Sequence, residues 1–217
     1  MENELTNFNK NIRPTESLQP PECKLERDFI RGLQLIANDQ PGYRYNPQFM
    51  SLASGLNFPD LKNYLHYTGD YIEQYITENQ KTILNFNDLI NIFSDTQHFI
   101  ETPKEPIEVF ACVLNPIEIS SVEENRYNGL YKGRKLIEVS SLYNPFPSKI
   151  EKGSIVVAHY ATIVGLIDAN RARLIVDHQK KDELLQREYS KIERVDYGKD
   201  LNNIFGWTEE HFKTRNY

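Results

Sequence analysis

The chain has 217 residues, 39% of them hydrophobic and 26% charged, with a formal net charge of −6 at pH 7. This composition is typical of a globular protein with one large domain or two small ones. The apolar runs are far shorter than the roughly 20 residues of a membrane helix, and the polar N-terminus lacks the apolar core of a signal peptide. Two cysteines cannot form a disulfide framework, so we expect a cytoplasmic protein without a membrane partner.

The N-terminal half has the apolar periodicity of helices. A polar, proline-containing stretch at residues 1–21 predicts a flexible arm. Apolar residues then recur every three or four positions, as on one face of a helix, which predicts a helical domain over residues 22–102. Its helices are predicted in segments 22–39, 57–80 and 85–101. Pro103 and Pro106 end this half, because prolines so close together cannot continue a helix.

Short runs of β-branched and aromatic residues predict strands in the rest of the chain. Segments 107–115 and 135–141 are two such strands, and Asn128-Gly129 between them is a strong hairpin-turn signal. Segment 154–179 predicts an apolar hairpin that turns near Asp168–Arg171. The remaining predictions are a helix over Asp182–Glu188, a final strand over Lys191–Tyr197 and a closing helix with Thr208 as its N-cap.

The order of these elements gives the expected fold class. Because helices precede strands instead of alternating with them, we expect an α+β protein. The helical N-terminal half would pack on a small, mostly antiparallel β unit, for which an SH3-like or OB-like barrel is one architecture. Residues 103–217 would then form a β-rich domain with a C-terminal helix.

The predicted hairpin carries candidate catalytic residues at its open end. With the turn at Ala169-Asn170, His159 and His178 become diagonal neighbours about 7–8 Å apart. Imidazoles so placed suit a shared metal or a general base, and Asp177 precedes the second of them. A register slipped by one residue would instead send the histidines to opposite faces. The third possibility is a structural role, in which each histidine bonds to backbone at a strand end.

Cys112 is a further catalytic candidate. It lies in the strand predicted over residues 107–115, and a nearby histidine could activate its thiol as a nucleophile. The alternative is a buried cysteine that packs as a small apolar residue. The sequence contains no GxGxxG, GxxxxGK[ST], HExxH or CxxC motif, so we expect no cofactor and assign no metal site.

A stripe of tyrosines marks the second predicted helix. Tyr64, Tyr67, Tyr71 and Tyr75 are spaced by three, four and four residues, which places them along one helix face. Tyrosine combines a rigid apolar ring with a polar tip, as protein interfaces require, so this stripe predicts a partner-binding surface. Half-buried packing against the other helices is the alternative.

Aromatic and basic residues cluster around the predicted Asn128-Gly129 turn. Such a mixture suits single-stranded nucleic acid, with rings that stack on bases and cations that meet phosphates. A solvated turn with solubilising charges is equally compatible with the pattern. The nucleic-acid candidates are Tyr127, Tyr131, Lys132, Arg134 and Lys135, together with Arg171 and Arg173 on the predicted hairpin.

These observations support three hypotheses. The leading one is a non-enzymatic intracellular subunit or adaptor that binds a protein partner or forms a homo-oligomer, because catalytic motifs are absent and a tyrosine stripe is present. The second is a hydrolase or metal-dependent nuclease centred on His159, Asp177 and His178. The third is a nucleic-acid-binding protein that uses the basic β-rich half.

Overall fold

The computed structural model describes residues 22–39, 58–62, 65–99, 105–124, 126–145 and 150–205. The predicted arm and the helix predicted after Thr208 lie outside these residues. Within them the α+β class is confirmed, since helices accompany a six-stranded sheet and a small two-stranded sheet.

The helices of the described chain occur on both sides of residue 103, so they are not confined to the N-terminal half. They are α1 (Arg27–Asp39), α2 (Phe58–Lys62), α3 (His66–Glu78), α4 (Phe86–Phe93), α5 (Pro106–Cys112), α6 (Ala169–Gln179), α7 (Glu183–Tyr189) and α8 (Tyr197–Phe205), with a 3-10 turn at Thr96–His98.

The main sheet is mixed and open in the part of the chain that the structure describes. Its strands are β3 (Asn115–Glu123), β4 (Arg126–Lys132), β5 (Leu136–Leu142), β6 (Ile155–His159), β7 (Thr162–Ile167) and β8 (Arg194–Asp196); β1 (Lys24–Leu25) and β2 (Ile83–Leu84) form the parallel small sheet. The strand order of the main sheet is β7-β6-β3-β4-β5-β8, antiparallel throughout except for the parallel pair β5–β8. No closed barrel forms among the described strands, because β7 and β8 lie at opposite edges.

Two apolar clusters form the core. In the first, Phe110 of α5 and Tyr189 of α7 pack with residues of β3, β4 and β5. In the second, α1, α3 and α4 pack with Val157 and Val164 of β6 and β7 and with Ile175 of α6. The N-terminal helices therefore share a core with elements from the C-terminal half, and α6 is held next to α4.

The predicted hairpin of residues 154–179 is wrong in its turn. The strands β6 and β7 do pair, but they reverse at the buried Tyr160-Ala161, and His159 pairs with Thr162. The residues predicted as the second hairpin strand form α6 instead. Its N-cap is Asp168, whose carboxylate accepts a hydrogen bond of 2.7 Å from the amide of Arg171.

The strand predicted over 107–115 is also wrong for most of its length. Pro106 occupies the first turn of α5, where its missing N–H costs nothing. Glu105 and Glu108 form a capping box that satisfies free amides at the helix start. The strand β3 begins only at Asn115.

Asn128-Gly129 is not a turn but lies inside β4. A Cβ on Gly129 would lie 2.4 Å from Ile117 Cγ2 and 2.7 Å from the Glu118 carbonyl oxygen. Glycine is therefore required here because the neighbouring strand comes close, next to register shifts in both strand pairs of β4.

Candidate functional site

A cleft of about 350 Å³ lies between α3, α4, the 3-10 turn and α6. Its lining combines aromatic, charged and apolar groups, with Ser94 and four amide side chains completing the wall. The residues that define its chemistry are Tyr71, Tyr75, Asp95, Arg171, Leu174 and His178.

The aromatic wall comes from two tyrosines one turn apart on α3. Ile72 and Ile76 of the same helix are buried in the core, which leaves Tyr71 and Tyr75 half-buried beside the cleft. The hydroxyl of Tyr75 donates to Asp88 Oδ1 over 3.0 Å and accepts from the side chain of Asn91 over 3.1 Å. Burial raises the pKa of both tyrosines, with nearby carboxylates adding to the effect, so both hydroxyls are neutral.

An aspartate–histidine pair joins the 3-10 turn to α6. Nε2 of His178 lies 2.8 Å from Oδ2 of Asp95. The carboxylate is buried, with 7% of its side chain exposed, whereas the imidazole is 49% exposed. The other oxygen of Asp95 accepts from the backbone amide of Gln97 over 2.9 Å, which fixes the carboxylate orientation. The pair therefore presents an oriented imidazole at the rim of the cleft.

Arg171 connects α6 to α4 across the cleft. Its Nη2 donates to the backbone carbonyl of Asn87 over 2.9 Å and to Oδ1 of Asn91 over 2.7 Å. Leu174, one turn further along α6, is 57% exposed beside it. The α6 wall thus combines a fixed guanidinium with an open apolar side chain.

The predicted diagonal pairing of His159 and His178 across a hairpin is wrong, because His159 ends β6 whereas His178 lies on the helix α6. His159 is fully buried, and neither ring nitrogen has a hydrogen-bond partner within the described residues. Burial, with a smaller contribution from His98, lowers the pKa of His159 to about 3. A sealed imidazole cannot reach a substrate, so nothing supports His159 as a general base.

The other catalytic candidates lie apart from the cleft wall. Asp177 is exposed and accepts from Lys180 over 2.9 Å. Burial raises the pKa of the Cys112 thiol to about 12, although a hydrogen bond with Tyr160 opposes the shift. A thiol that stays protonated is a poor nucleophile, and Cys112 packs partly buried against the first apolar cluster, which favours its structural alternative.

The aromatic and basic residues around Asn128-Gly129 do not form an exposed stacking surface. Tyr131 is buried in the first apolar cluster, so the expectation that it is exposed is wrong. Lys132 and Lys135 contact Glu118 and Glu193, and Arg134 donates to the carbonyl of Lys180. Tyr127 is half-buried and accepts from Asn144 over 3.3 Å, while Arg173 is exposed on α6.

The side chains of two of the four stripe tyrosines are not described. Tyr64 is not described at all, and only the backbone of Tyr67, which lies in α3, is described.

Within the described residues no group of three or more histidine, cysteine, aspartate or glutamate side chains could hold a metal ion. None of the described helices has the length and apolar character needed to cross a membrane.

Asp95 is one of the cleft residues that the sequence interpretation missed. It follows the apolar helix α4 after Ser94 and precedes Thr96-Gln97, a pattern typical of a capping aspartate. That signal predicts the cap, but it does not predict the contact with His178, 83 residues further along the chain.

The cleft brings together residues from three separately predicted sets. Tyr71 and Tyr75 come from the partner-binding stripe, His178 from the catalytic set and Arg171 from the nucleic-acid set. Their function must be inferred from this geometry alone, because comparison of the chain with family models, curated proteins and solved structures finds no match.

Proposed function

We propose that the chain is a non-enzymatic intracellular subunit or adaptor that binds a segment of a protein partner in the cleft. The observation that carries this proposal is the set of side chains that line it. Tyrosine and arginine are enriched at protein interfaces, and Tyr71, Tyr75 and Arg171 meet there beside the exposed Leu174.

The amide side chains of the cleft support a peptide ligand in particular. Each carries two donor hydrogens and an acceptor oxygen, and Gln74, Asn79 and Asn91 use only part of this capacity within the chain. The remaining donors and acceptors match the N–H and C=O groups of an extended backbone. The residues are Gln74, Asn79, Asn91 and Gln97. The volume is near the lower end of the roughly 300–1,000 Å³ that ligand sites span, which suits a few anchoring side chains of a segment.

Loss of the apolar contact at the edge of the cleft tests this function. Peptides selected from a random display library on the full-length protein should lose at least about tenfold in affinity for Leu174→Gln, because a neutral polar side chain replaces the apolar contact. Leu136→Gln is the matched control, since Leu136 on β5 has the same 57% exposure but does not line the cleft. Equal loss in both variants, or no selectable peptide, would contradict the proposal.

The aspartate–histidine pair favours a second candidate, a hydrolase that uses His178 as general base. Asp95 would hold Nε2, and the other ring nitrogen would accept a proton from an attacking water. Chromogenic ester and phosphodiester substrates should then be hydrolysed by the wild type and about 10²–10⁴-fold more slowly by His178→Ala. Asp177→Asn, next to it on α6, is the control, and a wild type without turnover would exclude this candidate for those substrate classes.

A further inference from the structure

Building on the proposed function of the cleft as a partner-binding site, we propose that Arg171 makes it selective for a segment with an acidic side chain. The preferred ligand would place a glutamate or aspartate carboxylate against the guanidinium and an apolar neighbour against Tyr71, Tyr75 and Leu174.

Arg171 has no anionic partner in the described part of the chain. Both of its acceptors, the Asn87 carbonyl and Asn91 Oδ1, are neutral amide oxygens. Its Nε is buried and lacks a hydrogen bond to any described residue. Lys81, by contrast, meets the carboxylate of Asp88 at 2.7 Å. The positive charge of Arg171 is therefore half-buried without an ion pair to any described residue.

The guanidinium is held in place before any ligand arrives. Asn87 and Asn91 fix it from α4, and Asp168 fixes the start of α6 by accepting from the Arg171 amide. A fixed donor group loses little conformational entropy on binding. A carboxylate brought to this charge would also offset the cost of keeping a cation partly out of water.

The charges around Arg171 favour a carboxylate over a phosphate. The cleft also contains Glu78 and Asp95, the latter in contact with His178. A phosphate carries nearly two negative charges at neutral pH, so these two carboxylates repel it more than they repel a singly charged carboxylate. One guanidinium is also a sufficient partner for one carboxylate.

Pools of end-blocked random peptides test the inference. The pools have equal length and a central residue fixed as glutamate, glutamine or phosphoserine, and immobilised full-length protein retains them. We expect the glutamate pool to be retained at least about tenfold more than the glutamine pool. Arg171→Gln should abolish this preference, whereas Arg173→Gln, on the exposed side of α6, should keep it.

Two further arms keep the inference testable. Arg171→Lys preserves the charge but loses the two hydrogen bonds by which Nη2 is fixed to α4, so it should weaken the glutamate preference even if Arg171→Gln fails to fold. A glutamine pool with a free C-terminus separates an acidic side chain from a chain end as the source of the carboxylate.

The outcomes separate this inference from the proposed function. Equal retention of the glutamate and glutamine pools, stronger retention of the phosphoserine or free C-terminus pool, or a glutamate preference that Arg171→Gln and Arg171→Lys both leave unchanged would overturn the inference alone. If the wild type retains none of the pools, the proposed function itself fails.

Discussion

At the scale of single residues, His159 shows how burial decides the chemistry of a side chain. It ends β6 with no exposed surface, and its ring centroid lies 4.9 Å from the ring centroid of Tyr160, the residue at the hairpin turn. Tyr160 itself has a φ of 47° and donates its backbone N–H to the Ala111 carbonyl. The imidazole is therefore enclosed beside a fixed turn, and its burial favours the neutral form.

This enclosure predicts a pH-dependent stability. The folded pKa of His159, about 3, lies below its value of roughly 6.5 in an unfolded chain, so the unfolded state takes up the proton first. The stabilisation is present above about pH 6.5 and is lost as the pH falls toward 3. Between these limits the free energy of unfolding from urea titrations should fall by up to about 1.4 kcal/mol per pH unit more in the wild type than in His159→Gln.

His178→Gln is the control for this titration, because its imidazole is 49% exposed. It should retain the acid-dependent loss. Parallel curves for the wild type and His159→Gln would show that another group causes the pH dependence.

Gly129 supports a second prediction at this scale. An alanine Cβ would meet Ile117 Cγ2 and the Glu118 carbonyl of β3, and the backbone contact cannot be relieved by a side-chain rotation. Gly129→Ala should therefore lower the free energy of unfolding by about 1–3 kcal/mol in urea denaturation. Gly198→Ala, whose nearest described atom lies 3.4 Å from the added Cβ, should be close to neutral; similar losses in both variants would refute the steric argument.

At the scale of elements, a network of buried side-chain hydrogen bonds connects α6 and α7 to the sheet. Oδ1 of Asn115, on β3, accepts from the Tyr189 hydroxyl over 2.6 Å. The side chain of Gln179 accepts from the Tyr131 hydroxyl over 3.2 Å and donates to the Leu114 carbonyl over 3.2 Å. Both amide residues are fully buried, so each lost bond would leave a polar group without water.

A substitution at Asn115 should show how much this hydrogen-bond network contributes to the free energy of unfolding. Asn115→Ala leaves the Tyr189 hydroxyl unpaired, at a cost of about 1–3 kcal/mol in addition to the lost packing. In a double-mutant cycle with Tyr189→Phe, the combined loss should be smaller than the sum of the single losses by about 0.5–3 kcal/mol. Asn115→Ala combined with Tyr127→Phe, at the half-buried hydroxyl near Asn144, serves as the control. Full additivity of Asn115→Ala and Tyr189→Phe would contradict the network.

The elements that the sequence predicts well are those whose apolar residues recur with a regular helical or strand period. α1 and α3 lie inside their predicted segments, and β5 and α7 are confirmed within one residue at each end. The apolar run around Leu174–Val176 is too short to distinguish a strand from a helix, and only the cap at Asp168 identifies α6. Pro106 is the corresponding sequence signal for a helix at α5, because proline favours the first turn of a helix.

At the scale of the whole molecule, polar contacts join distant parts of the chain around the cleft. Arg171, His178 and Asp182 each bond to residues that lie between 80 and 86 positions before them in the sequence. The sequence names four of the cleft residues as candidates, but it cannot place them together, because the assembly depends on α6 packing against α4. The wrong hairpin assignment therefore concealed the site.

One carboxylate in this set predicts a coupling between two segments. Asp182 accepts from the amide and hydroxyl of Thr96 over 2.8 and 2.7 Å, and it also caps α7 through the Leu185 amide. Asp182→Ala should therefore increase hydrogen–deuterium exchange both at the 3-10 turn and in α7. Thr96→Ala removes only its hydroxyl contact and should spare α7; unchanged exchange at the turn in Asp182→Ala would disprove the coupling.

The position of the cleft between distant segments also couples occupancy to folding. A ligand held by α3 and α6 together loses its site when either wall unfolds, so it stabilises the folded state in proportion to the logarithm of its concentration. The melting temperature of the intact chain is thus a readout for any compound or peptide that fills the cleft. This measurement needs neither a label nor an identified partner. A screen of melting temperatures can therefore be used to find ligands of the cleft.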